Sequence, residues 1–175
     1  MVDIRTARLR VRDPAPRDLE GWHRLFSDAQ NLRFVEHMRT HTLEESRARL
    51  RQAIESARES ARARWFYAVE LAQTGAFAGS IGFMTEPIGG GVLGGIGWFL
   101  LPEHQGKGYA TEAFQALIPR MFRDWGVTLI DASCDAANRA SARVMQKGGM
   151  ALVWQYDGRL QYQLAKEDWE KSQQE

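Results

Sequence analysis

Between Gly94 and Gly149 an apolar strand runs directly into a glycine loop, and the loop directly into an amphipathic helix. The strand is GGIGWFLLP, residues 94–102, and the loop is Gln105-Gly106-Lys107-Gly108-Tyr109-Ala110. A second strand at 127–133 and a helix from about Asn138 follow. Gly106 and Gly108 carry no Cβ, so the backbone turns sharply and a ligand can approach it closely. At the start of the following helix, unpaired N–H groups and the positive end of the helix dipole meet at one point. Such a nest of amides holds a pyrophosphate without a charged side chain.

Two common phosphate loops are excluded by spacing. A P-loop requires Lys and Ser or Thr after its second glycine, and Tyr109 follows Gly108. A dinucleotide fingerprint requires a third glycine that Gly106-x-Gly108 lacks. The chain has 175 residues, enough for a real core, and the whole of 1–175 is expected to form one domain. Its formal charge of +1 marks no nucleic-acid face. The lone Cys134 allows no internal disulfide, and the four histidines have no metal-ligand spacing, so no metal is expected. No targeting peptide or membrane span is evident, and a cytoplasmic location is expected.

Hydrophobic periodicity orders the remaining elements. Residues 4–12 alternate as a first strand, and Pro14 and Pro16 precede a helix carrying Leu19, Trp22, Leu25 and Phe26 on one face. A second helix is expected over about 43–62. Its arginine-rich outer face should pair with itself, with Glu45–Arg49 at i,i+4 and Glu55–Arg58 at i,i+3; alternatively it guides an acidic acceptor. Strands follow at 65–72, 76–85 and 92–101. The helix after the loop buries Ala113, Phe114, Leu117, Met121 and Phe122. The last two strands turn at Asp157-Gly158. The order β-α-α-β-β-β-α-β-α-β-β implies a mixed sheet in an α/β fold.

The loop also fits Q-x-x-G-x-[G/A], as Gln105-x-x-Gly108-x-Ala110. With it stand Thr6-Ala7-Arg8-Leu9-Arg10, Ile96-Gly97-Trp98 and Asn138-x-x-Ser141-x-x-Val144-x-x-Lys147-x-Gly149. In these motifs the chain resembles the GCN5-related N-acetyltransferase (GNAT) superfamily, in its RimJ/RimL-like branch. The resemblance implies a mixed, mostly antiparallel sheet flanked by helices, and acetyl transfer from acetyl-CoA to an amine in a ternary complex. It implies a cofactor site at Phe99, Leu100, Leu101, Gln105, Gly106, Lys107, Gly108, Tyr109, Ala110, Thr111, Asn138 and Ser141. In such proteins the strand before the loop splays from its neighbour at a bulge, and the glycines at 94, 95 and 97 suit a bulge or a close approach to the backbone. Asn138 would position the pantetheine arm, or cap its helix. In RimL-like proteins a serine at the place of Ser141 is proposed to protonate the leaving thiolate; Met145 stands where many members have tyrosine, which leaves Ser141, Tyr109 or water for that step.

A base is harder to assign. Gly95 occupies the place where RimJ/RimL-like sequences often carry glutamate. Glu86, Asp135, Glu36 and His37 are the candidate replacements, with Glu86 the first choice beside Ser141. Cys134 reads as a small core residue. An α-amine, with a pKa near 8, costs about 1.4 kcal/mol to neutralise at pH 7, against about 4.6 for a lysine side chain. A site without an evident base therefore favours a protein or peptide N-terminus. A small-molecule amine and a non-catalytic acetyl-CoA-binding module are the alternatives. A monomer or homodimer is expected, with no nucleic-acid or membrane partner.

Overall fold

The computed structural model describes residues 2–174. It contains an eight-stranded sheet in the order β1-β2-β3-β4-β5-β6-β8-β7. The strands are β1 (Asp3–Arg5), β2 (Leu9–Arg12), β3 (Arg64–Leu71), β4 (Phe77–Ile88), β5 (Gly91–Leu100), β6 (Leu129–Asp135), β7 (Ala151–Tyr156) and β8 (Arg159–Ala165). All neighbours are antiparallel except β5 and β6. Helices α1 (Leu19–Ser27) and α2 (Leu43–Ser56) bury Trp22, Leu25, Phe26, Leu50 and Ala53 against Phe66, Phe77, Phe99 and Leu101. Helices α3 (Tyr109–Arg123), α4 (Arg139–Lys147) and α5 (Lys166–Ser172) belong to a second cluster, which includes Phe114, Met121, Phe122, Met145 and Trp169. Among the described residues no helix is long and apolar enough to cross a membrane.

Three elements differ from the sequence expectation. The first strand is a hairpin, because Thr6 closes a tight turn: its N–H donates to the Leu9 carbonyl at 2.9 Å, and its hydroxyl accepts from the Leu9 N–H at 2.9 Å. Helix α2 stops at Ser56, whose hydroxyl donates to the Arg64 carbonyl at 2.6 Å and starts the chain toward β3. Arg62, expected on the helix face, instead pairs with Asp13 at 3.1 Å and lies over the Trp65 ring. Helix α5 was not expected. Its seven residues carry one buried apolar side chain, Trp169, and so no stripe betrays it.

A buried ion cluster fixes the start of α1. Arg12 donates to both oxygens of Asp18, at 2.8 and 2.6 Å, and to the Glu70 carboxylate. All three residues are at most 5% exposed.

Candidate active site

Strands β5 and β6 pair only over Leu93–Gly95 and Leu129–Asp131. Beyond Gly95 they part. β4 holds β5 along ten residues without a register shift, and β8 holds β6 along all seven. The gap therefore opens between two half-sheets that are each held by another strand. The bulge expected on β5 is absent there; the irregularities lie at Val69/Glu70 and Leu152/Trp154. Gly94 answers to packing instead, since a Cβ there would approach Met121 to 2.8 Å. The polar groups that β5 turns toward β6 beyond Gly95 have no strand partner.

The glycine loop lies at the end of this gap. Gly106 and Gly108 have φ of +72° and +81°, the left-handed region that disfavours any side chain. Gly108 precedes α3, and the first helical bond there runs from the Glu112 N–H to the Gly108 carbonyl at 3.0 Å. Among the described residues, no protein acceptor takes the backbone N–H of Gly106, Lys107, Gly108, Tyr109, Ala110 or Thr111. Six successive free amides at a helix start fit a pyrophosphate.

The loop is held from behind. Arg8, in the β1–β2 turn, donates to the Lys107 carbonyl at 2.9 Å and to Glu112 at 2.6 Å, and it lies over the Tyr109 ring. Glu112 also accepts from the Thr6 hydroxyl at 2.5 Å. Burial raises the Glu112 pKa, but the bonds from Thr6 and Arg8 outweigh it and leave the carboxyl below its ordinary value. Gln105 has a positioning role as well. Its amide donates to Asn31 Oδ1 at 2.7 Å and to the Leu100 carbonyl at 3.0 Å.

Across the gap stands α4. Asn138 caps it, with Oδ1 accepting from the Ser141 N–H at 3.2 Å, while its amide NH₂ has no protein acceptor among the described residues. Ser141 and Asn138 both line the cleft, and the Ser141 hydroxyl has no protein partner among the described residues. Met145 is 1% exposed. Cys134 is buried at the cleft wall, and burial pushes its thiol pKa up, away from the nucleophilic thiolate.

The cleft has a volume of about 1240 Å³ and passes to the α1/α2 face of the sheet. There Gly82 pairs with Gly97, Ser80 with Phe99 and Met84 with Gly95, so small residues form much of the floor. A Cβ at Gly97 would meet nothing within 4 Å, and one at Gly95 only atoms at 3.9 Å. These two positions leave open space. Helix α2 supplies Arg49, Gln52, Glu55 and Ser56 to the opposite wall, and the preceding loop supplies Val35, His37 and Met38. The sequence offered His37 of this loop as a candidate base and the arginine face of α2 as a guide for an acceptor; without a motif, it did not mark which residues of the loop and helix face the cleft.

The structure brings Phe99, Leu100, Gln105, Gly106, Gly108, Tyr109, Ala110, Thr111, Asn138 and Ser141 to the cleft. Three expected residues lie elsewhere. Leu101 is buried under α1, and its N–H is bonded to the Ala78 carbonyl at 2.9 Å. The Lys107 side chain is exposed and outside the lining, and its carbonyl is taken by Arg8. Glu86 sits opposite Leu93, toward the solvent end of the β4–β5 hairpin, and does not line the cleft. Its strand register carries it past the gap. Glu36 is also outside the lining, whereas His37 and Asp135 line it. Asp135 is engaged in a turn, accepting from the Ala137 N–H at 2.7 Å. Among the described residues no group of three or more His, Cys, Asp or Glu is placed to hold a metal.

Residues 8–151 match the Acetyltransferase (GNAT) domain family. The chain belongs to that family. A curated relative, the uncharacterised N-acetyltransferase YnaD of Bacillus subtilis (strain 168), is 46% identical over 55 residues. That stretch is 31% of this chain and 32% of the relative. Among solved structures, a GNAT-family acetyltransferase from Bacillus anthracis superposes with a TM-score of 0.78 at 24% identity. The match covers 95% of this chain and 99% of that one. RimL, a ribosomal L7/L12 α-N-protein acetyltransferase in complex with coenzyme A, superposes with a TM-score of 0.79 at 20% identity. Its match likewise covers 95% and 99% of the two chains.

Proposed function

We propose that this chain is an N-acetyltransferase that moves the acetyl group of acetyl-CoA to a primary amine, with a protein or peptide N-terminal α-amine as acceptor. The observation that carries this reading is the row of free amides from Gly106 to Thr111 beside the unpaired edge of β5. The pyrophosphate would bind those amides, and the pantetheine arm would pair with β5 beyond Gly95, as an added strand does. Acetyl-CoA supplies the activated acyl group. The Asn138 amide is free to orient the arm. The Ser141 hydroxyl is free to donate its proton to the departing thiolate. The trough over Gly95 and Gly97 holds the acceptor, so the amine attacks directly in a ternary complex and Cys134 stays out of the chemistry. No carboxylate stands at Gly95, and this favours an acceptor that is easily deprotonated.

The same absence favours a second reading, in which the chain binds acetyl-CoA without catalysis. Release of CoA thiol across a panel of α-amines, lysine-type amines and polyamines separates the two. Amine-dependent release that is fastest with α-amines is the expected result. Tight acetyl-CoA binding with no release for any amine would support the binding module instead.

A further inference from the structure

Two arginines shielded from solvent have carboxylate partners: Arg12 meets Asp18 and Glu70, and Arg62 meets Asp13. Among the described residues the half-buried Arg39 and Arg49 have none; Arg39 donates to the Ser27 carbonyl at 3.0 Å and stays out of the cleft lining, whereas Arg49 is part of it. It projects from α2 into the acceptor trough, and among the described residues no carboxylate comes within ion-pair distance of it. Its helical neighbour Glu45, four residues earlier, is engaged at the helix start, where it accepts from the His41 N–H at 2.6 Å. Arg49 has turned inward instead. One of its nitrogens donates to the Met38 carbonyl, and its guanidinium lies 5.4 Å from the Phe26 ring centroid. Phe26 in turn packs on Phe99 of the floor, at 5.3 Å. Burial holds the Arg49 pKa below its ordinary value. Glu55, on the same helix, stands about 9 Å further along the axis at 1.5 Å per residue.

A guanidinium offers five donors in a rigid fork, and one of them is used here. Leaving the rest partly desolvated and unpaired is unfavourable, unless something else arrives to take them. We propose that Arg49 binds a carboxylate on the acceptor, so that the amine acetylated by this protein belongs to an acidic molecule. The carboxylate is either the side chain of an acidic residue next to a peptide's N-terminus or the α-carboxylate of a free amino acid. The inference rests on the acetyltransferase reading and names its substrate class. The Phe26 and Met38 contacts fix the fork in place, and a fixed fork selects a planar anion.

The test uses matched acceptors with an identical amine. One pair is an amidated alanyl-glutamyl peptide against its alanyl-glutaminyl counterpart; the other is a free amino acid against its amide. CoA release gives kcat/KM for each. Calorimetry gives acceptor affinity for the CoA-loaded protein without any turnover. In one pair the acidic member should be preferred by about tenfold or more, and the preference should weaken with salt. In Arg49→Gln the ratio should fall toward one. Arg49→Lys should retain part of it as a point charge. A melting curve and acetyl-CoA binding verify that each variant is folded. No preference in either pair, or a preference that survives Arg49→Gln, overturns the proposal. Absence of CoA release with every amine would reject acetyl transfer, and the calorimetric ratio would still decide the role of Arg49.

Discussion

Arg8 and Glu112 lie 104 residues apart in the chain and meet at 2.6 Å behind the phosphate loop. Glu112 is in the first turn of α3, the helix whose free amides face the gap. Arg8 bonds the loop itself, through Lys107. The two residues thus clamp the loop to its helix from the side away from the ligand. Glycine gives a loop many accessible conformations, and an amide nest binds best when its donors are already aligned. The Thr6–Arg10 motif at the start of the chain therefore braces the loop proposed to hold the pyrophosphate, through Lys107 and Glu112.

Removing the clamp should cost affinity rather than chemistry. In Arg8→Met and Glu112→Gln, acetyl-CoA affinity should fall about three- to tenfold, the effect of losing about one charge-assisted bond that positions the donors. At saturating acetyl-CoA, kcat should change less than affinity does. Calorimetry and steady-state kinetics provide the comparison. Wild-type affinity in both variants would show that the loop keeps its shape unaided.

Gly108 tests the nest directly. Its φ of +81° makes alanine unfavourable by about 1–2 kcal/mol at that position. Gly108→Ala should weaken acetyl-CoA binding modestly. Gly108→Glu adds a negative charge beside the phosphates and should weaken it at least about tenfold. Equal affinity in wild type and Gly108→Glu, on a folded protein, would place the pyrophosphate elsewhere.

Strong local signals made much of this legible. The strand, loop and helix at 94–123 stand where glycine spacing and the Ala113–Phe122 stripe put them, and Asp157-Gly158 forms the final turn with both φ values positive. What stayed hidden depends on contacts between distant residues. Nothing in the α2 sequence tells that Glu45 will engage a backbone amide and leave Arg49 to face the trough. The end of α2 at Ser56 is set by a bond to Arg64 across the turn, while the helical pattern itself continues to Ala61. The opening between β5 and β6 is likewise a property of the two ladders, whereas the glycines nearby gave a reason to expect a bulge.

Asn138 and Ser141 can be separated by choice of substitution. Asn138→Asp keeps the oxygen that caps α4, so stability should hold. Asn138→Ala should lose about 0.5–2 kcal/mol. Both lose the free NH₂ donor, so both should weaken acetyl-CoA binding. Ser141→Ala should leave affinity nearly intact and lower kcat, by up to the ~10²–10⁴ of a positioned general acid. A normal kcat in Ser141→Ala on the preferred acceptor would assign the thiolate to another group.

The Arg12–Asp18–Glu70 cluster sets acid stability. Burial raises the Glu70 pKa, but the bonds from Arg12 and Arg17 outweigh it and hold the carboxyl below its ordinary value. A group whose folded pKa is depressed contributes stability above its unfolded pKa, about 4.3 for glutamate. That contribution disappears as pH falls through the lower folded value. Glu70→Gln should therefore destabilise the protein at pH 7 by about 1.5–3 kcal/mol, the loss of a charge-assisted bond, since Arg12 keeps its two bonds to Asp18. The stability difference from wild type should shrink below pH 4.3. A difference that stays constant from pH 7 to pH 3, by denaturant melts, would show that Glu70 acts through packing alone.

The remaining question is how the amine loses its proton. Glu86 is carried past the gap by its register, Glu36 is outside the lining, and Asp135 is engaged in a turn. Gly95 faces the trough with open space around it. With water as the acceptor of the proton, the rate should follow the neutral fraction of the amine. kcat/KM should rise with pH toward the acceptor's own pKa, and that limb should move when amines of different pKa are compared. Neutral substitutions at His37 and Asp135 should each cost less than about tenfold, against the ~10²–10⁴ of a positioned base. The converse experiment is Gly95→Glu. Its Cβ would have no neighbour nearer than 3.9 Å, so the side chain fits, and its carboxylate would enter the trough beside the acceptor. Activity near pH 6 should then rise relative to wild type, and the pH limb should report the new carboxylate in place of the amine. A loss of a hundredfold or more at His37 or Asp135, with acetyl-CoA binding intact, would reject the water route and identify the base.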